Sequence, residues 1–380
     1  MAFNDIPVDT LKRKIDELKR FLSISLSISN AHTVDFYTRD VWSTFMCVSP
    51  DDVLCAISST HDQCPLDPND SDSGSSFLSM LSLDVIEDVS PRVHPSQLSL
   101  EEREKRKREN LERKAGEGRG NIRDDGLFSP LTSYVTAETE LKTLITELED
   151  AVLVGLHTCG DLAPSTLRMF RAKQELRAVC SVGCCYHLLS EEFDQDRQGC
   201  VDGVCGFPVS QYLKAQACFC GRNARMSACL VSLPHTSQIA SLCFCYDTFL
   251  KYLMGILFSV DSEKRVGNVY SKASSFVDYV RRALRKLDLD DTKLSDGDIQ
   301  SYHEHYSPRM NEMVAFNMLK VILAPCIEGL ILLDRLCYLK EQDNVSHSAL
   351  VQLFDPLQSP RCYAVVAESY SDHCDEERCF

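Results

Sequence analysis

Apolar residues recur at helical spacing near the start of the chain. Leu11, Ile15, Leu18 and Leu22 fall on one face with Lys and Glu opposite, so residues 9–22 read as an amphipathic helix that Asp9 or Thr10 can cap. The next segment, SISLSIS (23–29), alternates instead, and its state stays open between helix and strand. The only tryptophan, Trp42, closes a small N-terminal helical unit, residues 1–58.

Periodicity then lapses. HDQCPLDPNDSDSGSS (61–76) is acidic, polar and broken by proline, and EEREKRKRENLERKAGEGRGNIR (101–123) is a mixed charge run. Residues 59–135 are therefore expected to form a disordered charged linker. A regular pattern returns at Thr136. Leu141, Leu144, Ile145 and Leu148 mark a helix, and the apolar run Ala151–Leu156 marks a strand. Asp161 opens a second helix with Pro164 in its first turn and Leu167 and Phe170 on its buried face. RAVCSVG (177–183) marks another strand. Strand, helix, strand with short connections is a βαβ unit, so the two strands should lie parallel and adjacent.

The last third reads as mostly helical, with a break expected at Pro325. ALVQLF (349–354) and CYAVVA (362–367) then form an antiparallel hairpin. The expected architecture is an α/β domain at residues 136–370 with a helical insertion at 210–345 and a tail at 371–380.

Charge and cysteine usage narrow the class. A net charge of −16 argues against nonspecific nucleic-acid binding by the whole surface, because phosphate affinity comes largely from Lys and Arg. There are 19 cysteines, no C-x-x-C pair and no secretory pattern at residues 1–9. An intracellular, mostly reduced protein is expected, cytoplasmic or nuclear, without a zinc ribbon or finger. The apolar stretch 243–260 carries Asp247 and Lys251, and 314–339 carries Lys320, Glu328, Asp334 and Arg335. Neither offers the ~20 clean apolar residues a bilayer needs, so no membrane is expected among the partners.

Candidate chemistry gathers where the two strands end. In open α/β sheets, ligands sit beyond the carboxyl ends of the strands. HTCGD (157–161) leaves the first strand, GCCYH (183–187) leaves the second, and neighbouring strands lie ~4.8 Å apart. His157, Cys159, Asp161, Cys184, Cys185, Tyr186 and His187 should share one small volume. Gly160 and Gly183 would permit close approach or positive φ.

Three readings stay open. The thiols can simply pack the strand ends, with the histidines bonded to backbone. Alternatively, the cluster is a catalytic pocket floor in which His157, Asp161 or His187 orients or deprotonates a nucleophile. The third reading is a metal site. The residue types suit zinc, but adjacent residues in each segment depart from the usual ligand spacing, and no metal ligand is assigned. Arg222 and Arg225 stand near a helix start and suit either salt bridges or contact with a substrate phosphate or carboxylate. The cysteine pairs 218/220 and 243/245 read as buried thiols, and the Pro-Cys pair in APCIE (324–328) reads as core.

These segments also carry a resemblance. GLHTCGDLAPSTL (155–167), SVGCCYHLLSEEF (181–193), CGRNARMSACL (220–230), YSKASSFVDYVRRALRKL (270–287), PRMNEMVAFNMLKVILAPCIE (308–328) and LFDPLQSPRCYAVVA (353–367) stand in that order. Together they resemble the methyltransferase-like protein 25 family over about residues 128–370, and AHTVDFYTRDVW (31–42) resembles its N-terminal segment. The resemblance implies a Rossmann-like class I methyltransferase sheet, S-adenosylmethionine as cofactor and an undefined methyl acceptor, RNA or protein. The strand tips are also similar to those of a group of transfer-RNA ribose methyltransferases. That likeness places His157, Cys159, Asp161, Cys184, Cys185 and His187 on the substrate side of the pocket.

The chain departs from the family at the cofactor motif. A class I methyltransferase needs a glycine-rich turn after its first strand and an acidic residue ending its second, much as dinucleotide folds do. GEGRG (116–120) has the glycines, but RENLERKA precedes it where a buried strand belongs, so no cofactor-binding residue is assigned. FLSMLSLDVIEDV (77–89) offers one strand without a glycine turn. The sheet is expected to be incomplete at its N-terminal half, as in a spliced or truncated form or a noncatalytic binding or regulatory member. Ala151–Leu156 then becomes an apolar edge, to be covered by a partner or by self-association.

Overall fold

The computed structural model describes residues 6–32, 40–62, 138–145, 148–194, 200, 203–229, 273–356, 359 and 361–370. The expected linker between residues 63 and 135, with its strand at 77–89 and its GEGRG turn, lies outside them, as does the Cys243/Cys245 pair. Apart from single turns, the helices are α1 (Val8–Asn30), α2 (Pro50–Asp62), α3 (Leu162–Ala172), α4 (Arg222–Ala228), α5 (Phe276–Leu287), α6 (Asp296–Tyr306) and α7 (Met310–Lys340). The strands are β1 (Ala151–Cys159), β2 (Leu176–Cys184), β3 (Val345–Gln352) and β4 (Tyr363–Ser369).

The strands form one sheet in the order β1-β2-β4-β3. β1 and β2 are parallel and joined through α3, and the C-terminal hairpin inserts β4 antiparallel between β2 and β3. The βαβ unit and the hairpin are therefore both present as expected. The predicted helix around Leu141–Leu148 is a single turn, Leu141–Leu144.

Helix α1 starts after Pro7 without a side-chain cap and runs straight through SISLSIS. The ambiguity there is resolved by tertiary packing. Ser25 and Ser29 continue the stripe of Leu11, Ile15, Leu18 and Leu22, and all six are buried. Ser23 and Ser25 donate their hydroxyls back to the Arg20 and Phe21 carbonyls, at 2.8 and 3.1 Å, so they bring no unpaired group into the helix. The apolar part of this stripe joins α3, α7 and one sheet face in a single core containing Phe170, Val179, Ile331, Leu336, Leu350 and Val365. Trp42 donates its indole N–H to the Val48 carbonyl at 2.9 Å and packs with Val53, Met313 and Phe316, which seats the N-terminal segment on α7.

Helix α7 passes Pro325 without the expected break. Proline removes one N–H from the ladder, but Leu323, Ala324, Ile327 and most residues through Leu339 are buried, so packing on both sides of the proline holds the turn together. The helical run ending at Lys340 is long and apolar enough to cross a membrane by length and composition. Here its apolar surface forms the core.

Two polar groups on α7 carry tertiary connections. Asp334 accepts from the Val209 and Ser210 N–H groups at 2.7 and 3.0 Å and from the Ser210 hydroxyl at 2.6 Å. Burial pushes its carboxyl up to about 6. Lys320 donates to the Ala31 carbonyl at the end of α1 and lies 5.1 Å from the centre of the Phe316 ring. Burial lowers its ammonium to about 8.

β1 is the sheet edge among the described residues. Val152, Val154 and Leu156 are 59%, 61% and 55% exposed, on the face opposite Leu153, which packs against the core.

Replacing Asp334 with alanine leaves two buried N–H groups and a hydroxyl without their acceptor. The expected loss is about 3 kcal/mol, measured by urea unfolding at pH 7. Lys320 gives a pH test. It releases its proton near pH 8 in the folded chain and near ~10.4 in the unfolded one, so between these values the unfolded state binds more protons and stability rises with pH. Buried thiols such as Cys218, Cys337 and Cys362, pushed up to about 12, act in the opposite direction. The stability of the wild-type chain minus that of Lys320→Met cancels their effect, and this difference should increase from pH 8 to pH 10.

Candidate functional site

A bulge shapes the tips of β1 and β2. The strands pair residue for residue from Val152 with Ala178 to Gly155 with Ser181, and then Thr158 faces Gly183 and Cys159 faces Cys184, so β1 holds one extra residue. The bulge turns Thr158 inward, where its hydroxyl donates to the Val182 carbonyl at 2.8 Å. His157 is left exposed with φ at 142°, a backbone region that favours glycine.

Beyond the bulge the sulfurs of Cys159 and Cys184 lie 3.0 Å apart. Cys185 takes a left-handed conformation, φ 49°, and adds a third sulfur, so that all three lie within 4.8 Å of one another. Burial, and then the hydrogen bond with Cys159, push the Cys184 thiol up, and the Cys185 thiol shifts the same way for the same leading reason. Both stay protonated at neutral pH, which disfavours a free thiolate nucleophile.

Both predicted glycine roles are present. Gly160 has φ 52°, donates its N–H to the Cys184 carbonyl at 3.2 Å, and a Cβ there would stand 2.7 Å from the Leu188 Cβ. At Gly183 a Cβ would run into the Arg335 guanidinium.

The other expected neighbours part company. Asp161 precedes α3 but does not cap it, because its carboxylate accepts instead from the Ser190 N–H at 2.8 Å and hydroxyl at 2.6 Å. Tyr186 turns into the interior and donates to Glu328 at 2.8 Å. Arg361 donates to the same carboxylate oxygen at 2.9 Å, and Arg335 and Arg361 lie 5.6 and 5.3 Å from the centre of the Tyr186 ring. His187 places Nδ1 3.4 Å from the Cys229 sulfur. Thus the three thiols meet, His157 faces solvent, and Asp161, Tyr186 and His187 contact other elements.

Arg225 is also drawn inward. Its Nε lies 3.1 Å from a Glu191 carboxylate oxygen, and its Nη1 donates to the Tyr186 carbonyl at 3.0 Å and to the Leu189 carbonyl. Glu191 further accepts from the Cys220 and Gly221 N–H groups at 2.7 and 2.9 Å. A substrate phosphate does not reach a guanidinium committed in this way, so Arg225 belongs to the framework. Arg222 is exposed in the first turn of α4.

Sequence reasoning missed Glu191, Glu328, Arg335 and Arg361. A partial signal existed: Glu328 and Arg335 interrupt an apolar run, and charges in that setting need buried partners. Cys218 and Cys220 are buried as expected. Among the described residues one cysteine pair departs from the reduced state, a Cys200–Cys205 disulfide.

The described residues alone do not frame an adenosyl cofactor. In the doubly wound pattern it would lie beside the free edge of β1. Among the described residues no strand and no glycine turn stands there, and the adjacent surface is the Val152, Val154 and Leu156 row.

Residues 55–192 match a family model described as a methyltransferase domain. Over 298 residues the chain is 53% identical to "Probable methyltransferase-like protein 25" of Mus musculus, covering 77% of this chain and 48% of that protein. Over 301 residues it is 48% identical to the Homo sapiens protein of the same name, covering 77% and 47%. The chain is thus similar to the methyltransferase-like protein 25 of both organisms. It spans about half the length of the curated relatives it matches. No solved structure matches it. The mixed four-stranded sheet with its helices agrees with the α/β class I methyltransferase-like fold that the domain match indicates.

The strained backbone at His157 gives a test. Residues held at such a φ cost on the order of 1 kcal/mol or more unless they are glycine. His157→Gly should therefore raise stability by about 1 kcal/mol in urea unfolding, since the side chain is exposed and its removal leaves no cavity.

Proposed function

We propose that this chain is a form of an S-adenosylmethionine-dependent methyltransferase acting on RNA or protein, and that its described part is the acceptor side of that fold. The observation supporting this most directly is the position of the strand tips. A parallel pair closed by an antiparallel hairpin presents polar ends at its carboxyl edge, where doubly wound sheets bind their ligands. His157 is the candidate base at this edge, because Asp161 and His187 already contact Ser190 and Cys229. In such a reaction the protein's part is chiefly alignment of nucleophile, methyl carbon and leaving sulfur.

A second reading, a noncatalytic binding or regulatory protein, is favoured by the apolar row on β1. A contiguous exposed row of Val152, Val154 and Leu156 on an edge strand invites cover by a partner or by a second copy. Under either reading the described residues do not hold the methyl donor alone.

Calorimetric titration of S-adenosylmethionine into the full chain tests this division of labour. The expected result is no saturable heat. One saturable site with a dissociation constant of about 10 μM, roughly −7 kcal/mol, would assign a complete cofactor cleft to this chain and overturn the acceptor-side reading.

A further inference from the structure

We propose that Cys159, Cys184 and Cys185 bind one zinc-class divalent cation at the carboxyl ends of β1 and β2. Zinc–sulfur bonds of ~2.3 Å place tetrahedral ligand sulfurs ~3.8 Å apart and trigonal ones ~4.0 Å apart. The three sulfurs lie within 4.8 Å of one another, with Cys159 and Cys184 at 3.0 Å, so no pair exceeds that spacing by more than about 1 Å. Soft thiolates select zinc over magnesium or calcium.

The backbone explains how adjacent cysteines join one site. Consecutive strand residues point to opposite faces, which is why the spacing of Cys184 and Cys185 argues against a shared ligand. The left-handed conformation at Cys185, φ 49°, ends the strand and returns its sulfur to the side of Cys184. The bulge in β1 does the corresponding work for Cys159 by bringing it opposite Cys184. Gly160 then ties the two tips together through its N–H bond to the Cys184 carbonyl at 3.2 Å. Two local backbone departures thus converge on one group of sulfurs, and exposed Cys159 opens that group to solvent.

Binding breaks three S–H bonds, forms three Zn–S bonds and releases three protons to the buffer. No oxidant is needed. The three thiolates and the cation carry a net charge of −1, and water fills the fourth position. The site does not rest on the methyltransferase reading, because no donor or acceptor of methyl groups takes part.

The test uses the full chain, freed of metal and kept reduced with a phosphine. Cobalt(II) added alone is expected to saturate at one equivalent, to give a sulfur-to-cobalt charge-transfer absorption, and to be displaced by zinc(II). Cys159→Ser, Cys184→Ser and Cys185→Ser should each weaken zinc binding at least tenfold, whereas Cys47→Ser and Cys55→Ser leave it unchanged. Cys184 is buried and its replacement can unfold the chain, so exposed Cys159→Ser decides, with its fold verified by far-ultraviolet circular dichroism. Absence of the charge-transfer band in the wild-type chain overturns the proposal. So does undiminished zinc affinity in folded Cys159→Ser.

Discussion

Burial of the second half of α7 is the constraint on which the structure depends. From Ile327 to Leu339 the helix is enclosed, and that stretch includes Glu328, Asp334 and Arg335. Charges cannot enter such an interior alone, since each loses its hydration. Asp334 therefore draws the 209–210 segment against the helix, and Glu328 draws Tyr186 and Arg361. Tyr186 directly follows the thiol-bearing tip of β2. The helix core thus fixes where the sheet's polar end can lie.

The tip owes its shape to the same compaction. Gly183 passes against the Arg335 guanidinium, which leaves no room for a side chain, and Asp161 holds Ser190 across the mouth of the connection. A second buried centre, Glu191 with Arg225, closes the turn that leads into α4. None of these contacts involves the three thiols. At this tip His157 and Cys159 are exposed. Both acceptor alignment and metal ligation depend on side chains held by such neighbouring contacts.

The free edge of β1 has the opposite character. Its apolar row faces solvent, although burying it would release apolar surface from water. The same edge is where the doubly wound pattern would continue. Among the described residues no strand pairs with that edge.

Local pattern was enough to place the βαβ unit, the hairpin and the buried stripe of α1, because periods of 2 and 3.6 report which face meets a core. It also identified the cysteines at the two tips and the need for glycine at 160 and 183. It failed where long-range partners decide. SISLSIS became helix because α7 and its neighbours accept that stripe, and Pro325 stays within a helix because both flanks are buried. Asp161, Tyr186 and Arg225 look alike in sequence as pocket residues, yet Ser190, Glu328 and Glu191 claim them, and those partners stand far along the chain or on other elements. Residue order sets periodicity and backbone preference. Which polar groups meet in the interior is settled only when distant segments are desolvated together.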